Sequence, residues 1–199
     1  DGSEKVGLLI HDLSPEEWAK VSREYDGWDI VTDEGNIRVT DVNAGAKYPA
    51  SLFFTGGASS GDAHTYIFGI SNLTDIGDLA RFCKVTTLSG LNSSKLLSLK
   101  LGDHTGKYTE KIEGKIVPIS NTKLDTLDCS GLPALTYLDV TNHNVLTSLT
   151  VNTNKQLVEL YAENNDLQSF GFLNSLPMLR KLMLSGNSSV YESTLSGYL

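Results

Sequence analysis

The strongest chemical signature in this chain is a serine in a glycine-rich stretch with a histidine close behind. Residues 57–61, GASSG, match the pattern G-x-S-x-G, and His64 follows shortly after. A nucleophilic serine in that pattern needs a strand, a sharp turn and then a helix, whereas residues 65–68, TYIF, are typical of another strand. The spacing therefore predicts a hairpin loop, and serine hydrolysis through Ser59 and His64 is kept as a remote alternative.

Residue types that bind metal ions are present, but they are not grouped. The four histidines lie far apart and lack the paired spacing of zinc sites; they are His11, His64, His104 and His143. The acidic residues Asp26, Asp29, Asp33 and Glu34 do not have the spacing of a helix-flanked calcium loop and are interpreted as a solvated turn. We therefore predict neither a metal nor a cofactor.

The two cysteines, Cys83 and Cys129, are too few for a disulfide framework or a metal set. Cys83 lies between Phe82 and Val85, and Cys129 occupies an apolar position of the repeat described next. We predict that both are buried thiols.

A ladder of leucines fills the second half of the chain and predicts its architecture. Four frames of the form L-x-x-L-x-apolar begin eleven residues apart, at Leu124, Leu135, Leu146 and Leu157, and looser frames begin at Leu167 and Leu179. This spacing suits neither a helix face nor a plain strand, but it fits a short strand after a bend in each coil of a stack. The pattern predicts a mainly β repeat solenoid.

Every second frame gives a period of 22 residues, which is within the range of leucine-rich repeats. The ninth position of a frame, where such repeats favour an asparagine that bonds the backbone of a turn, holds His143, Asn165 and Asn187. Asn154 has the equivalent place in an alternate frame. Each coil is therefore expected to have two strand-like sides, with the frames at 124, 146 and 167 on the second side.

The sequence LDTLDCSGLPALTYLDVTNHNVLTSLTVNTNKQLVELYAENN and the later LRKLMLSGN resemble bacterial leucine-rich repeat surface proteins of the internalin-like and BspA-like short-repeat groups. The resemblance covers about residues 113 to 187. It implies a leucine-rich repeat fold and a place outside the cell or on its surface. A signal peptide or lipid anchor upstream of Asp1, as in a lipoprotein, stays an open alternative.

Weaker frames extend the ladder upstream. Leu96, Leu99 and Leu101 form a clear frame, and less regular ones begin at Leu73 and Val85, so the solenoid is expected to span residues 70–199. Residues 102–115 are predicted to be a polar insertion between coils. Projected backwards, the period predicts a degenerate coil that begins near Glu113 and uses Ile116, Pro118 and Asn121 as ladder positions.

Residues 1–69 do not repeat. Ser14-Pro15-Glu16-Glu17 predicts the start of a helix, and strand-like runs follow at Trp28–Thr32, Asn36–Val42, Ser51–Thr55 and Thr65–Ile70. The expected role of this α+β segment is a non-repeat cap, because an open solenoid end exposes apolar core. A small independent β-rich module is the alternative.

Composition excludes several classes of function. A chain of 199 residues with 40% hydrophobic residues can bury a continuous core, and no apolar run approaches the length of a membrane span. The net charge of −8 disfavours contact with phosphate backbones. We therefore expect no nucleic-acid partner and no membrane insertion by this chain.

The outward positions of the ladder strands are the remaining candidates for recognition. They are expected in three columns: Lys115, Tyr137, Glu159 and Lys181; Val117, Asp139, Tyr161 and Met183; and Thr141, Glu163 and Ser185. The predicted binding residues are Tyr137, Asp139, Glu159, Tyr161, Glu163, Lys181 and Met183. Tyrosine is common at recognition surfaces, but exposed strands also favour it for its shape alone. The outward positions of the second strand-like side have only small polar or acidic side chains: Asp125, Thr126, Asp128, Thr147, Ser148 and Thr150.

These features lead to two main hypotheses. The first is a non-enzymatic extracellular or cell-surface module for binding or adhesion, which recognises a protein or a glycan through the solenoid face. The second is a structural spacer or assembly component without a ligand of its own.

Overall fold

The computed structural model describes residues 5–9, 29–32, 35–38, 63–68, 70, 73–80 and 85–187. The strands are β1 Lys5–Leu9, β2 Asp29–Thr32, β3 Gly35–Arg38, β4 Ala63–Phe68, β5 Asp75–Asp78, β6 Val85–Ser89, β7 Ser98–Lys100, β8 Thr109–Ile112, β9 Lys115–Pro118, β10 Thr126–Asp128, β11 Tyr137–Asp139, β12 Ser148–Thr150, β13 Glu159–Tyr161 and β14 Lys181–Met183. A 3-10 helix covers Gly171–Ser175. These elements stack as a mostly parallel β-solenoid of about five turns.

One wall of the solenoid is a parallel sheet with the order β14-β13-β11-β7-β5, which we call the front sheet. Tyr137 pairs with Glu159, and Glu159 with Lys181, so neighbouring strands are offset by one 22-residue coil. Short three-residue strands result because each coil must turn before and after its extended segment. The predicted stacking of equivalent positions is confirmed for these strands.

The opposite wall contains the parallel pair β10 and β12, here called the back pair, with Thr126 beside Ser148 and Asp128 beside Thr150. This confirms a second strand-like side for the frames at 124 and 146. Strand β6 contacts β10 and belongs to a sheet with the order β3-β2-β1-β4-β6. In that sheet only β2 and β3 are antiparallel.

The third frame expected on the second side, at Leu167, does not form a strand. Phe170 and Phe172 are buried, but the chain turns between them into the 3-10 helix. Within this turn the amide of Leu173 donates to the Phe170 carbonyl, and the amide of Leu176 donates to the Leu173 carbonyl. Local hydrogen bonds of this type replace the ladder bonds that a strand would make.

The core is a column of leucines between the two walls. Leu138, Leu149 and Leu160, the second leucines of their frames, are buried, each at 7% exposure or less. Leu182 is only partly buried, because β14 is the edge strand of the front sheet in the described part of the chain. Cys129 is buried in the same column as predicted, and burial raises the pKa of its thiol to about 12. Cys83 lies outside the described residues.

Buried polar side chains satisfy the backbone at the turns. The Asn187 amide donates to the carbonyls of Ala162 and Leu184, both at 2.8 Å. Asn154 donates to the carbonyls of Cys129 and Leu132 at 3.0 and 2.6 Å. Each side chain thereby supplies donors to carbonyls at the turns, and the carbonyls of Cys129 and Leu132 accept a backbone amide as well.

His143 occupies the same kind of position in its coil. Its Nδ1 lies 3.1 Å from the Val140 carbonyl, and its own backbone amide donates to Asn165 Oδ1 at 2.8 Å. Only an Nδ1–H can donate to a carbonyl, so the ring carries its proton there. Burial lowers the pKa of His143, and the carbonyls of Thr141 and Val140 oppose that effect only in part.

The degenerate coil predicted from Glu113 is wrong for Ile116 and Pro118, which are exposed, whereas Asn121 is buried and lies beside His143 one 22-residue period later, as predicted. Strands β8 and β9 form an antiparallel hairpin, with Glu113 and Gly114 at positive φ in its turn, and Ile116 is 77% exposed instead of packed in the core. The front-sheet neighbour of β11 is β7. The outward columns therefore continue through Ser98 and Lys100, not through Lys115 and Val117.

Candidate functional site

The front sheet brings the predicted binding residues together in the expected order. Tyr137, Glu159 and Lys181 form one column, and Asp139, Tyr161 and Met183 form the next. Their exposure differs from the prediction, however. Lys181 and Met183 are exposed and Tyr137, Glu159 and Glu163 are partly buried, whereas Asp139 and Tyr161 are each only 3% exposed. Thr141 in the third column is buried as well.

The loop that follows β7 covers these two buried residues. His104 in that loop stacks on Tyr161 with a centroid distance of 3.7 Å and an interplanar angle of 15°. From the neighbouring coil, the Lys181 amine lies 4.8 Å from the centroid of the same ring. The Tyr161 ring is therefore enclosed by other side chains, and the prediction that it is exposed is wrong.

Asp139 holds the loop on the sheet. Its Oδ2 accepts the backbone amide of His104 at 3.0 Å and lies 2.7 Å from His104 Nδ1, while its Oδ1 accepts the amide of Thr141 at 2.9 Å. Three hydrogen bonds compensate this carboxylate for its burial, which would otherwise be unfavourable. Asp139 thus positions His104 and has almost no surface of its own to offer a ligand.

The loop is shaped by Asp103. Its Oδ1 accepts the amide and the hydroxyl of Thr105, and its Oδ2 accepts the Tyr108 amide at 2.6 Å. Although burial raises the pKa of Asp103, these hydrogen bonds hold it below its ordinary value. A fixed turn of this kind lets the next residue, His104, reach back to the sheet.

The hydrogen bonds assign the proton on His104. The shorter contact of Nδ1 is with the Asp139 carboxylate, so in the neutral ring Nδ1–H donates to Asp139 and Nε2 is an acceptor. The Tyr137 hydroxyl lies 3.2 Å from the same Nδ1. No described residue is hydrogen-bonded to Nε2, and the His104 side chain keeps 24% of its surface exposed.

A second acceptor lies beside Tyr137 on the next strand. The Tyr161 hydroxyl donates to Glu159 Oε2 at 2.6 Å, and the Glu159 residue is partly exposed. Burial raises the pKa of Tyr161, and the Glu159 carboxylate adds to that effect, so the phenol keeps its proton and remains a donor. We call His104, Tyr137, Glu159 and Tyr161 the aromatic patch.

The patch has cations at its ends. Lys100 on β7 lies 6.0 Å from the Tyr137 centroid and pairs with Asp75 at 3.7 Å. Lys181 on β14 is exposed, and its proximity to the Tyr161 hydroxyl raises its pKa. A separate cleft of about 420 Å³ near the back pair is lined by Leu88, Gly90, Leu91, Asn92, Asp128, Ser130 and Gly131, and it contains none of the predicted binding residues.

Sequence reasoning missed His104 because the ladder places it at a turn, not on the front sheet. The available signals were its ninth position in the frame of Leu96 and the Asp103-x-Thr105 spacing, which is typical of an aspartate-capped turn.

Other sites considered from the sequence remain untested. The GASSG motif, the predicted helix start at 14–17 and the strand-like run at 51–55 lie outside the described residues, and of His64 only the backbone in β4 is described. Among the described residues, no three His, Cys, Asp or Glu side chains are grouped to hold a metal ion. The same part of the chain has no helix of the length and apolarity needed to cross a membrane.

Comparisons with protein-family models, with curated proteins and with solved structures gave no match to this chain.

Proposed function

We propose that this protein is a non-enzymatic binding module of the leucine-rich repeat type, which recognises a protein or glycan through the aromatic patch on its front sheet. The proposal keeps the front sheet as the recognition face but changes its residues. Tyr137, Glu159, Lys181 and Met183 remain as contact residues, and His104 is added. Asp139 and Tyr161 become supporting residues beneath the surface.

The observation that carries the proposal is that the loop after β7, here called the insertion loop, packs against the front sheet through His104. A polar loop on a solenoid face needs no buried carboxylate, yet Asp139 is buried here to fix His104 against Tyr161. Side chains held in this way by packing and by supporting hydrogen bonds are preorganised, which lowers the entropy cost of binding. The back pair has only small polar side chains and has no comparable arrangement.

The proposed location is extracellular or at the cell surface, and it rests on the resemblance to bacterial leucine-rich repeat surface proteins. The 22-residue coils and the buried asparagine contacts agree with the repeat pattern on which that resemblance is based. A spacer without a ligand is the second candidate. It is favoured by the burial of Tyr161, which removes much of the aromatic surface that the sequence predicted to be exposed.

Affinity capture from host-cell and envelope extracts tests the proposal. Tyr137→Ala removes a partly buried ring of the front sheet, and Thr150→Ala on the back pair is the matched control, since both residues are partly buried strand positions. We expect partners captured by the wild type and by Thr150→Ala to be lost with Tyr137→Ala. The same set of partners from all three proteins, or none from any, would support the spacer instead.

A further inference from the structure

We infer that the β8 edge of the β8–β9 hairpin binds an extended segment of a partner protein, which adds to the hairpin as a third, antiparallel strand. This surface is separate from the aromatic patch and does not depend on it. A hairpin of two strands is marginally stable on its own, and the described residues place no further strand beside this pair. Near its turn, Ile112 and Ile116 are 49% and 77% exposed. The hairpin therefore leaves apolar side chains and a strand edge open to a partner.

The turn of the hairpin fixes its hydrogen-bonding pattern. Glu113 and Gly114 have positive φ angles of 49° and 82°, as in a two-residue type I′ turn. In such a turn the flanking residues, here Ile112 and Lys115, are hydrogen-bonded to each other. Bonded and non-bonded pairs then alternate along the two antiparallel strands.

The alternation places Thr109 and Lys111 in non-bonded pairs, so their N–H and C=O groups point away from β9. The Tyr108 carbonyl accepts the Ile119 amide at 3.1 Å, as the same alternation requires. The described residues form no hydrogen bond with the outward groups of Thr109 and Lys111, and both residues are exposed. Strand β8 thus presents the amides and carbonyls of both residues along an open edge.

The β9 edge lacks an equivalent set of groups. Pro118 is the residue opposite Thr109, and it has no N–H to donate. A proline at such a position is typical of an edge that does not pair further. Ile116 is then the one β9 residue with both groups on that edge. The partner strand is therefore assigned to β8.

Charge determines which side chains the partner should carry. An added strand places one residue opposite Lys111 and the next residue opposite Glu110, so an acidic residue followed by a basic residue fits best. The residue before this pair lies opposite Ile112 and is expected to be apolar. The Lys107 amine is engaged by the Tyr108 hydroxyl at 2.8 Å. The other charged side chains of the hairpin are in the turn and on β9.

The same charges disfavour a second copy of this chain as the partner. A two-fold axis at Thr109, Glu110 or Lys111 would set Lys111 against Lys107, Glu110 against itself or Lys111 against itself. Like charges directly opposite each other destabilise a strand pair. An axis at Ile112 would leave Lys111 opposite the turn, which is not extended. The partner is therefore a different chain.

The test is NMR titration of the full chain with acetyl-TVEKTV-amide, which as an antiparallel strand sets Val, Glu, Lys and Thr opposite Ile112, Lys111, Glu110 and Thr109. The control peptide, acetyl-TVKETV-amide, has the same composition but sets like charges opposite each other. We expect the first peptide to bind with a Kd below about 5 mM and about fivefold more tightly than the control. The amides of Thr109 and Lys111 should exchange rapidly with solvent in the free protein and more slowly in the complex.

Matched proline variants distinguish the two edges of the hairpin. Lys111→Pro removes an outward amide of β8, and Ile116→Pro removes the outward amide of the residue directly opposite on β9. The hairpin itself uses neither amide, so both variants should keep it, as checked by the chemical shifts of Glu110 and Val117. We expect Lys111→Pro to weaken peptide binding about tenfold or more and Ile116→Pro to change it by less than about threefold.

Several results would overturn the inference. They are unchanged amide resonances of Thr109 and Lys111 at about 10 mM peptide, equal binding of the two peptides, and equal weakening by the two proline variants. Slow exchange of both amides in the free protein would do so too. Self-association lost with Lys111→Pro would assign the edge to a second copy, and binding to phosphatidylglycerol vesicles without peptide binding would assign the hairpin to a lipid surface. Tyr137→Ala should leave peptide binding unchanged, so failure here leaves the proposed function standing.

Discussion

His143 should make the folded protein sensitive to acid, and the effect can be isolated by His143→Asn. The side chain is buried where the neighbouring coils place Asn165 and Asn187, and burial lowers its pKa from the ordinary value of 6.5. Below pH 6.5 the His143 ring therefore binds a proton in the unfolded chain but not in the folded protein. The stability contributed by the neutral ring is present above that pH and is lost as the pH falls towards the lowered pKa.

The size of this effect follows from proton linkage. If the folded ring stays neutral, the free energy of unfolding falls by about 1.4 kcal/mol at one pH unit below the pKa of the unfolded chain. It falls by about 1.4 kcal/mol more for each further pH unit until the pKa of the folded protein is reached. Asparagine does not titrate, so His143→Asn should remove this part of the pH dependence. It should also keep the fold, because neighbouring coils hold asparagine at this position.

Urea denaturation of both proteins at pH 7.5 and pH 5.5 measures the difference. All carboxylates are common to the two proteins, so their contribution cancels in the comparison. Between these pH values, we expect the free energy of unfolding of the wild type to fall by about 1 kcal/mol more than that of His143→Asn. Equal losses in the two proteins would refute the view that a buried neutral His143 contributes to acid sensitivity.

Three further predictions concern the packing that holds the patch in place. Leu160→Ala should lower the free energy of unfolding by about 2–5 kcal/mol, because Leu160 is fully buried. A loss below about 1 kcal/mol in equilibrium denaturation would contradict its place in a packed core. Gly102→Ala should destabilise the protein because a Cβ there would overlap the Thr141 backbone. Gly171→Ala is the control, since a Cβ there meets only ordinary contacts. Similar melting temperatures for the two variants would contradict the close approach of Gly102 to the Thr141 backbone. Asn154→Ala should cost about 1–3 kcal/mol because it removes two hydrogen bonds to backbone carbonyls. A loss below about 0.5 kcal/mol in urea denaturation would contradict that contribution.

The sequence was sufficient to predict the stacking because the leucine period alone dictates which residues become neighbours. Tyr137, Glu159 and Lys181 are one period apart, and in a parallel in-register sheet they must lie side by side. The buried asparagines follow from the same argument, since a turn that repeats presents carbonyls to the same side-chain position in each coil.

The period could not predict the loop that covers the sheet. His104 and Asp139 are 35 residues apart, a separation that is not a multiple of the coil, and their contact depends on a turn set by Asp103. The exposure of Asp139 and Tyr161 was mispredicted for this reason, because alternation along a strand describes one sheet and not what packs over it. Ile116 was assigned to a coil because its apolar side chain fits the spacing, although Glu113-Gly114 between alternating residues is a hairpin signal.

The central claim is that the insertion loop and the front sheet form one ligand site around His104. Histidine side-chain NMR measures this directly, with the His104 resonances assigned by their absence in His104→Phe and those of buried His143 as an internal reference. On addition of a partner that the wild type captures, we predict that the His104 Nε2 and ring proton resonances shift in proportion to occupancy while those of His143 stay in place. A ligand that saturates the protein without moving the His104 resonances would contradict the claim.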